Sequence, residues 1–180
     1  MNMIAIVFAS LLAVPASAQQ MPDLSSAQAE LSAAAKANPI KNYVQPKYDL
    51  QCTFAGVLAI MGKTAKPEIP MPALYLEQRT PLKQFQDAVE PQWKMRPDMF
   101  LNVYVADQNA VYVMNEAEYY NKLGRFVDDS IAHELVHYVQ VKYKGIRIED
   151  FDDSLEGEAI EVQTEFRERY MKAGVSPCGR

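Results

Sequence analysis

The sequence predicts an α+β fold, in which a small β-sheet or hairpin is followed by two long helices. Two segments, 99–106 and 110–114, are rich in Val, Tyr and Phe, which strands favour. The segment that contains both histidines, and the segment 154–172 after it, instead have apolar residues at helical spacing. Strands that precede helices in this way are typical of an α+β domain rather than an alternating α/β one.

The N-terminal residues have the pattern of an export signal. Residues 4–12 are mostly apolar, and Ala16, Ser17 and Ala18 form a small-residue cleavage pattern, although no lysine or arginine precedes the apolar run. Residues 1–18 are therefore predicted to be a signal peptide, and 19–180 a single domain. We expect an exported protein, periplasmic or secreted, without a stable membrane anchor after cleavage. An uncleaved N-terminal anchor is the alternative.

The first elements of the domain are short. An Ala-rich stretch that starts with serine predicts a surface helix over 25–37, which Asn38 and Pro39 end. Residues 42–51 show no clear period, and the small apolar stretch 52–61 fits either a short buried helix or a strand.

Prolines then break the chain into a loop between residues 67 and 72. Residues 73–77 fit a strand, and residues 81–89 fit a helix with Pro81 in its first turn.

The predicted hairpin consists of strands 99–106 and 110–114, which the polar turn 107–109 connects. A short helix is predicted over 116–123, and Gly124 ends it.

The two long helices complete the predicted domain. The helix with both histidines ends at Lys144 and Gly145, and the last helix, 154–172, ends before Gly174 and Pro177.

Charge and cysteine content limit the possible partners and the compartment. The net charge is −5 and no basic cluster occurs, so nucleic acid is not an expected partner. The two cysteines, Cys52 and Cys178, are expected to form a disulfide, since the chain is predicted to enter an oxidising compartment. Closing so long a loop would contribute about 4 kcal/mol on the chain-entropy model.

The most informative motif holds the only two histidines of the chain. His133 and His137 lie four residues apart, and Glu134 follows the first. On a helix, such histidines lie within about 40° of each other and about 6 Å apart along the axis, so both can bind one metal ion. Glu134 can then reach a water molecule on that ion without being a ligand. The alternative is a metal-free domain in which a buried helix carries two histidines by coincidence.

A zinc site of this kind needs a third protein ligand. Glu156 and Glu158 in the last helix are the candidates, and they lie about 200° apart around a helix, so both cannot face one ion. Each borders the apolar stripe of the helix on a different side. Helical geometry alone therefore leaves the choice between them open.

These residues resemble those of the gluzincins, the thermolysin-like and aminopeptidase-like zinc peptidases. In that group a glutamate about twenty residues further on is the third ligand, and a small residue often stands three positions after it. Ala159 stands in that position relative to Glu156, whereas Glu161 does so relative to Glu158. The pair Glu156 and Gly157 is also similar to the aminopeptidase branch. The resemblance therefore favours Glu156.

The resemblance implies a zincin-like metallopeptidase domain over 19–180, in which the sheet packs on the helix with the histidines. It implies that Zn²⁺ is bound by His133, His137 and Glu156, and that Glu134 is the catalytic general base. The substrate would be a peptide or protein. A zinc-binding module of the cell envelope without peptidase activity is the alternative function.

Two parts of the implied site stay unassigned, because the resemblance covers only residues 127–170. Many relatives carry Asp or Asn four residues after the glutamate ligand to orient a histidine, but here Ile160 occupies that position. No histidine remains to stabilise an oxyanion, so a tyrosine or arginine would have to do so. The tyrosines considered are Tyr120, Tyr138, Tyr143 and Tyr170.

The second strand of the hairpin suggests where a substrate would bind. In zincin-like folds an extended substrate pairs with the edge of the sheet, and strand 110–114 is the one nearest in sequence before the histidine helix. We hypothesise that it is this edge. An ordinary internal strand is the alternative.

Overall fold

The computed structural model describes residues 41–179. From Asn42 onward these residues belong to one unit. The predicted signal peptide, 1–18, and the predicted helix over 25–37 lie outside the described residues. Within the described range, no helix is both long and apolar enough to cross a membrane.

The described residues form a mixed α and β structure, as the sequence predicts. The helices and strands in chain order are α1 (Leu50–Ile60), β1 (Ala73–Leu76), α2 (Leu82–Trp93), β2 (Val103–Val105), β3 (Ala110–Val113), α3 (Ala117–Leu123), α4 (Val127–Lys142) and α5 (Asp153–Phe166). Two 3₁₀ turns, Glu77–Arg79 and Ile148–Asp150, follow β1 and precede α5. A π-helical segment, Arg167–Lys172, continues α5. The predicted last helix therefore reaches residue 172, but its final part is not an α-helix.

The three strands form one sheet in the order β1-β3-β2. β2 and β3 pair antiparallel, which confirms the predicted hairpin. β1 pairs parallel with β3 on its other side, with Ala73 opposite Ala110. The hypothesis that 110–114 is a free edge for a substrate is therefore wrong. Strand β1, which lies about 40 residues earlier in the sequence, occupies that edge. The residue pattern of a hairpin does not show which distant segment pairs with it.

Both faces of the sheet are covered, so the domain has a large and a small hydrophobic core. Alternate residues of β3 point to opposite faces. Val111 and Val113 pack into the large core with α4, whereas Ala110 and Tyr112 pack into the small core around Phe85 of α2. α4 also packs against α1 and α5. It therefore lies at the centre of the domain, which accounts for its apolar residues on nearly every side.

The apolar stretch near Cys52 forms a helix rather than a strand. Asp49 begins α1, because its carboxylate accepts a hydrogen bond from the Cys52 backbone N–H at 2.7 Å. The helix begins two residues earlier than the predicted start at Cys52, since the sequence prediction did not use this cap. Gly56 lets α1 approach its neighbours closely. A Cβ atom on Gly56 would lie 2.8 Å from both the Phe166 ring and the Pro177 side chain.

A disulfide joins Cys52 in α1 to Cys178 in the C-terminal tail, as predicted, across 126 residues of sequence. This bond is compatible with an exported protein. It holds the tail beside α1, where Pro177 is buried.

Candidate metal centre

Two sets of polar contacts fix the position of α4 against α5. Near the start of α4, the buried Asp129 carboxylate accepts from Gln163 and forms an ion pair with Arg167, both at 3.4 Å. Near its end, the Gln140 amide donates to the Leu155 carbonyl at 2.8 Å. These contacts at both ends fix the register of α4 against α5. The side chains between them therefore have defined partners on the other helix.

His133 and His137 lie between those contacts, on the side of α4 that faces α5. Their Nε2 atoms are 3.1 Å apart. The Glu156 carboxylate faces both rings, with Oε1 at 3.2 Å from His133 Nε2 and Oε2 at 3.3 Å from His137 Nε2. The structure therefore brings together three of the residues that the sequence singled out. This group could hold a metal ion.

The electrostatics of this centre favour a positive charge. Burial disfavours a charged His137, but the Glu156 and Glu134 carboxylates and Gln140 outweigh burial and raise the pKa of its imidazole. Burial likewise tends to raise the pKa of Glu156, but the two imidazoles outweigh it and hold that pKa well below the usual range. Both shifts mean that a positively charged imidazole beside the ionised Glu156 carboxylate is stabilised. A proton can supply this charge, and so can a metal ion.

Glu134 lies beside this centre, and only 4% of its surface is exposed. Burial raises the pKa of its carboxyl group, and the two imidazoles oppose that rise. Its carboxylate also interacts with the backbone of Tyr104 in β2. A carboxylate with a raised pKa next to a cation site is a suitable group to accept and return a proton.

Glu158 does not face the histidines. Its carboxylate pairs with Lys144 at 2.6 Å and accepts from the Gln140 amide at 3.0 Å. Helical geometry alone left Glu156 and Glu158 as equal candidates for the third ligand. The structure places Glu156 beside the histidines and Glu158 beside a lysine.

The tyrosines considered for oxyanion stabilisation have structural contacts instead. Tyr138 donates to the Pro70 carbonyl at 3.1 Å, and Tyr120 donates to the Met114 carbonyl at 2.7 Å. The Tyr143 hydroxyl accepts from the Lys66 N–H, and Tyr170 packs against Phe166. The structure gives no reason to assign this role to any of the four.

Sequence reasoning assigned no role to two neighbours of His137. Gln140 Oε1 lies 2.8 Å from His137 Nδ1, and the Phe151 ring centroid lies 5.3 Å from that of the imidazole. The sequence does place Gln140 in line with His133 and His137, in the one polar strip of an otherwise apolar helix. Phe151 could not be placed in this way, since it lies in the irregular segment before α5 and belongs to no periodic pattern.

A cleft of about 500 Å³ lies on the opposite face of the sheet, between α2 and strands β1 and β3. Tyr75 and Tyr112 stack in its wall with their ring centroids 4.8 Å apart. None of the residues of the candidate metal centre lines this cleft.

Comparison of the chain with protein-family models, with curated proteins and with solved structures finds no match. Functional conclusions therefore rest on the geometry and chemistry of the residues themselves.

Proposed function

We propose that this chain is an exported zinc-dependent metallopeptidase. His133, His137 and Glu156 would hold the zinc ion, and Glu134 would be the general base. The observation that carries the proposal is the convergence of two imidazoles and one carboxylate at 3.1–3.3 Å, next to a buried glutamate. The predicted signal peptide and the disulfide support export.

The spacing of the donor atoms suits zinc. Ligand atoms at about 2.0–2.1 Å from a tetrahedral zinc ion lie about 3.3–3.4 Å apart. The two ring nitrogens are 3.1 Å apart, and each lies 3.2 or 3.3 Å from a different oxygen of the Glu156 carboxylate. Two imidazoles and one carboxylate are also a ligand set that catalytic zinc sites use, and the fourth position is left for water.

Zinc bound here would lower the pKa of a water molecule toward about 7 and polarise the scissile carbonyl. The residues of the chain perform the proton transfers. Glu134 removes a proton from the attacking water and later delivers it to the leaving amine nitrogen. Its raised pKa suits the first transfer, since a carboxyl group with a higher pKa accepts a proton more readily.

The decisive experiment combines metal analysis with peptide cleavage. We expect about one zinc per chain by mass spectrometry, and chelator-sensitive cleavage of a broad peptide library. Glu134→Gln should retain zinc and lose activity by about 10²–10⁴-fold, the usual contribution of a general base. Glu156→Gln should bind zinc much more weakly. Glu161→Gln, on the exposed side of α5, is the matched control and should resemble the wild type.

Cleavage by Glu134→Gln at the wild-type rate would show that Glu134 is not the base. Protein that binds no zinc, even when zinc is supplied, would leave the metal-free domain as the correct interpretation.

The low exposure of Glu134 favours a second candidate function, a zinc-binding module of the cell envelope without peptidase activity. A substrate must reach the general base, and 4% exposure leaves little room for it. Stoichiometric zinc without any chelator-sensitive cleavage would support this second function over the first.

A further inference from the structure

We propose that Gln140 and Glu158 act as positioning residues, which hold the His137 ring with its Nε2 lone pair toward the metal centre. This inference rests on the proposed zinc site. It assigns a role to Glu158, which does not face the histidines. It also assigns an orienting partner to His137, a role that the apolar side chain of Ile160 cannot have.

The first step is the orientation of the Gln140 side-chain amide, which is fully buried. Its nitrogen lies 2.8 Å from the Leu155 carbonyl oxygen and 3.0 Å from Glu158 Oε2. Both of these partners can only accept hydrogen bonds, and the amide nitrogen has two hydrogens to donate. Its orientation is therefore determined by chemistry, and Oε1 must be the atom that faces His137.

The second step is the tautomer of His137. Gln140 Oε1 can only accept, and it lies 2.8 Å from His137 Nδ1, so Nδ1 must carry a hydrogen. In a neutral imidazole the other nitrogen then has the lone pair. That nitrogen, Nε2, is the one that faces His133 and Glu156. Gln140 thus selects the tautomer that can bind a metal at the centre.

The third step is the anchoring of Gln140 itself. Lys144 Nζ donates to both oxygens of Glu158, at 2.7 and 2.6 Å. The lysine follows α4, whereas the glutamate belongs to α5, so the pair ties the two helices together beside the amide. Lys144 therefore fixes the Glu158 carboxylate, and this carboxylate fixes the Gln140 amide. The amide in turn fixes the His137 ring. Ile160 is 38% exposed and has no polar atom to offer in this role.

The effect should begin at one histidine. His133 Nδ1 is buried and has no hydrogen-bond partner among the described residues. Disturbing Glu158 should therefore change the Nδ1 side of the His137 ring, whereas the His133 ring can respond only through its Nε2, which lies 3.1 Å from that of His137. A purely structural role of Glu158 in packing α4 on α5 would not distinguish the two rings.

The test uses Glu158→Ala, since Glu158 is partly exposed and its truncation leaves the core intact. Imidazole nitrogen–proton correlation spectra are recorded on the metal-free protein, at a pH where both rings are neutral. With two histidines in the chain, both rings can be followed. We expect His137 to be the Nδ1–H tautomer in the wild type and a mixture of tautomers in the variant.

Zinc affinity is the second readout, measured by competition with a chromophoric chelator. Glu158→Ala should bind zinc more weakly, at most by the roughly 10–100-fold that loss of a direct orienting partner causes, since the Leu155 carbonyl still accepts from Gln140. Glu158→Gln keeps an acceptor for Gln140 and should largely restore the affinity. Glu161→Ala removes an exposed glutamate from the same helix and should leave both readouts unchanged.

The two ways of failing are distinguishable. Wild-type protein that binds no zinc contradicts the proposed function. An Nε2–H tautomer of His137 in the wild type, or wild-type zinc affinity in Glu158→Ala, contradicts the positioning role even where zinc binds.

Discussion

At the scale of single residues, Glu156 and Glu158 show how neighbours decide the role of a side chain. Both are glutamates of α5, two positions apart, and they point about 200° away from each other around the helix. Glu156 faces two imidazoles, whereas Glu158 faces Lys144 and Gln140. The same carboxylate is therefore a candidate ligand at one position and a candidate positioning group at the other.

Gly56 and Gly157 provide a prediction about packing. A methyl group at Gly56 would overlap Phe166 and Pro177, whereas a methyl group at Gly157 would meet nothing within 4 Å. We expect Gly56→Ala to lower the free energy of unfolding by about 1–3 kcal/mol through overpacking. Gly157→Ala should leave it unchanged or raise it by about 0.5–1 kcal/mol, because alanine favours a helix over glycine. Urea unfolding of both variants measures the difference, and equal stability would contradict the close packing of α1.

At the scale of elements, the outer edge of β2 is closed by a side chain instead of a strand. The Gln92 amide of α2 donates to the Tyr104 carbonyl at 3.0 Å and accepts from the Ala106 N–H at 3.1 Å. These are the two contacts that one residue of a neighbouring parallel strand would make. A strand edge closed in this way is protected from pairing with another molecule.

We therefore expect Gln92→Ala to expose that edge. The variant should lose about 1–2 kcal/mol of stability and self-associate more strongly, because two backbone groups lose their partners. Sedimentation at several protein concentrations measures the association. Gln86→Ala is the matched control, since it removes a bond from the same helix to the Pro97 carbonyl without uncovering a strand. Equal association of the two variants would show that Gln92 does not protect the edge.

At the scale of the whole molecule, two links join distant parts of the domain. The disulfide ties α1 to the C-terminal tail, and the candidate metal centre ties α4 to α5. The Asp128 carboxylate adds a third connection, because it accepts from the backbone N–H groups of Lys47 and Tyr48 at 3.0 and 2.9 Å. These links connect segments that do not belong to the sheet.

Removal of the disulfide should show how much this long link contributes. We expect Cys178→Ser to lower the free energy of unfolding by about 4 kcal/mol, since the unfolded chain regains the freedom of a long loop. Urea unfolding measures the change, and the reduced wild type serves as the control, because it lacks the same bond. A variant as stable as the oxidised wild type would mean that the tail contributes nothing to stability.

Short-range patterns in the sequence were sufficient to predict the local features of this protein. The helix with His133 and His137 on one side, the hairpin and the position of the last helix all follow from short-range periodicity and turn chemistry. The Cys52–Cys178 disulfide followed from there being two cysteines in a chain with a predicted export signal. The helices and the hairpin need no information about which distant segments meet, so spacing was sufficient to predict them. The disulfide is a long-range contact, but two cysteines allow a single pairing, so composition was sufficient to predict it.

Features that depend on distant partners became visible in the folded domain alone. β3 became the central strand because β1 pairs with its free side. Glu156 rather than Glu158 meets the histidines because Asp129 and Gln140 hold α5 against α4 in one register. Gln140 acquired its role because Leu155 and Glu158 orient its amide. Each outcome depends on the packing of segments that are separated in the chain, and no local pattern encodes that packing.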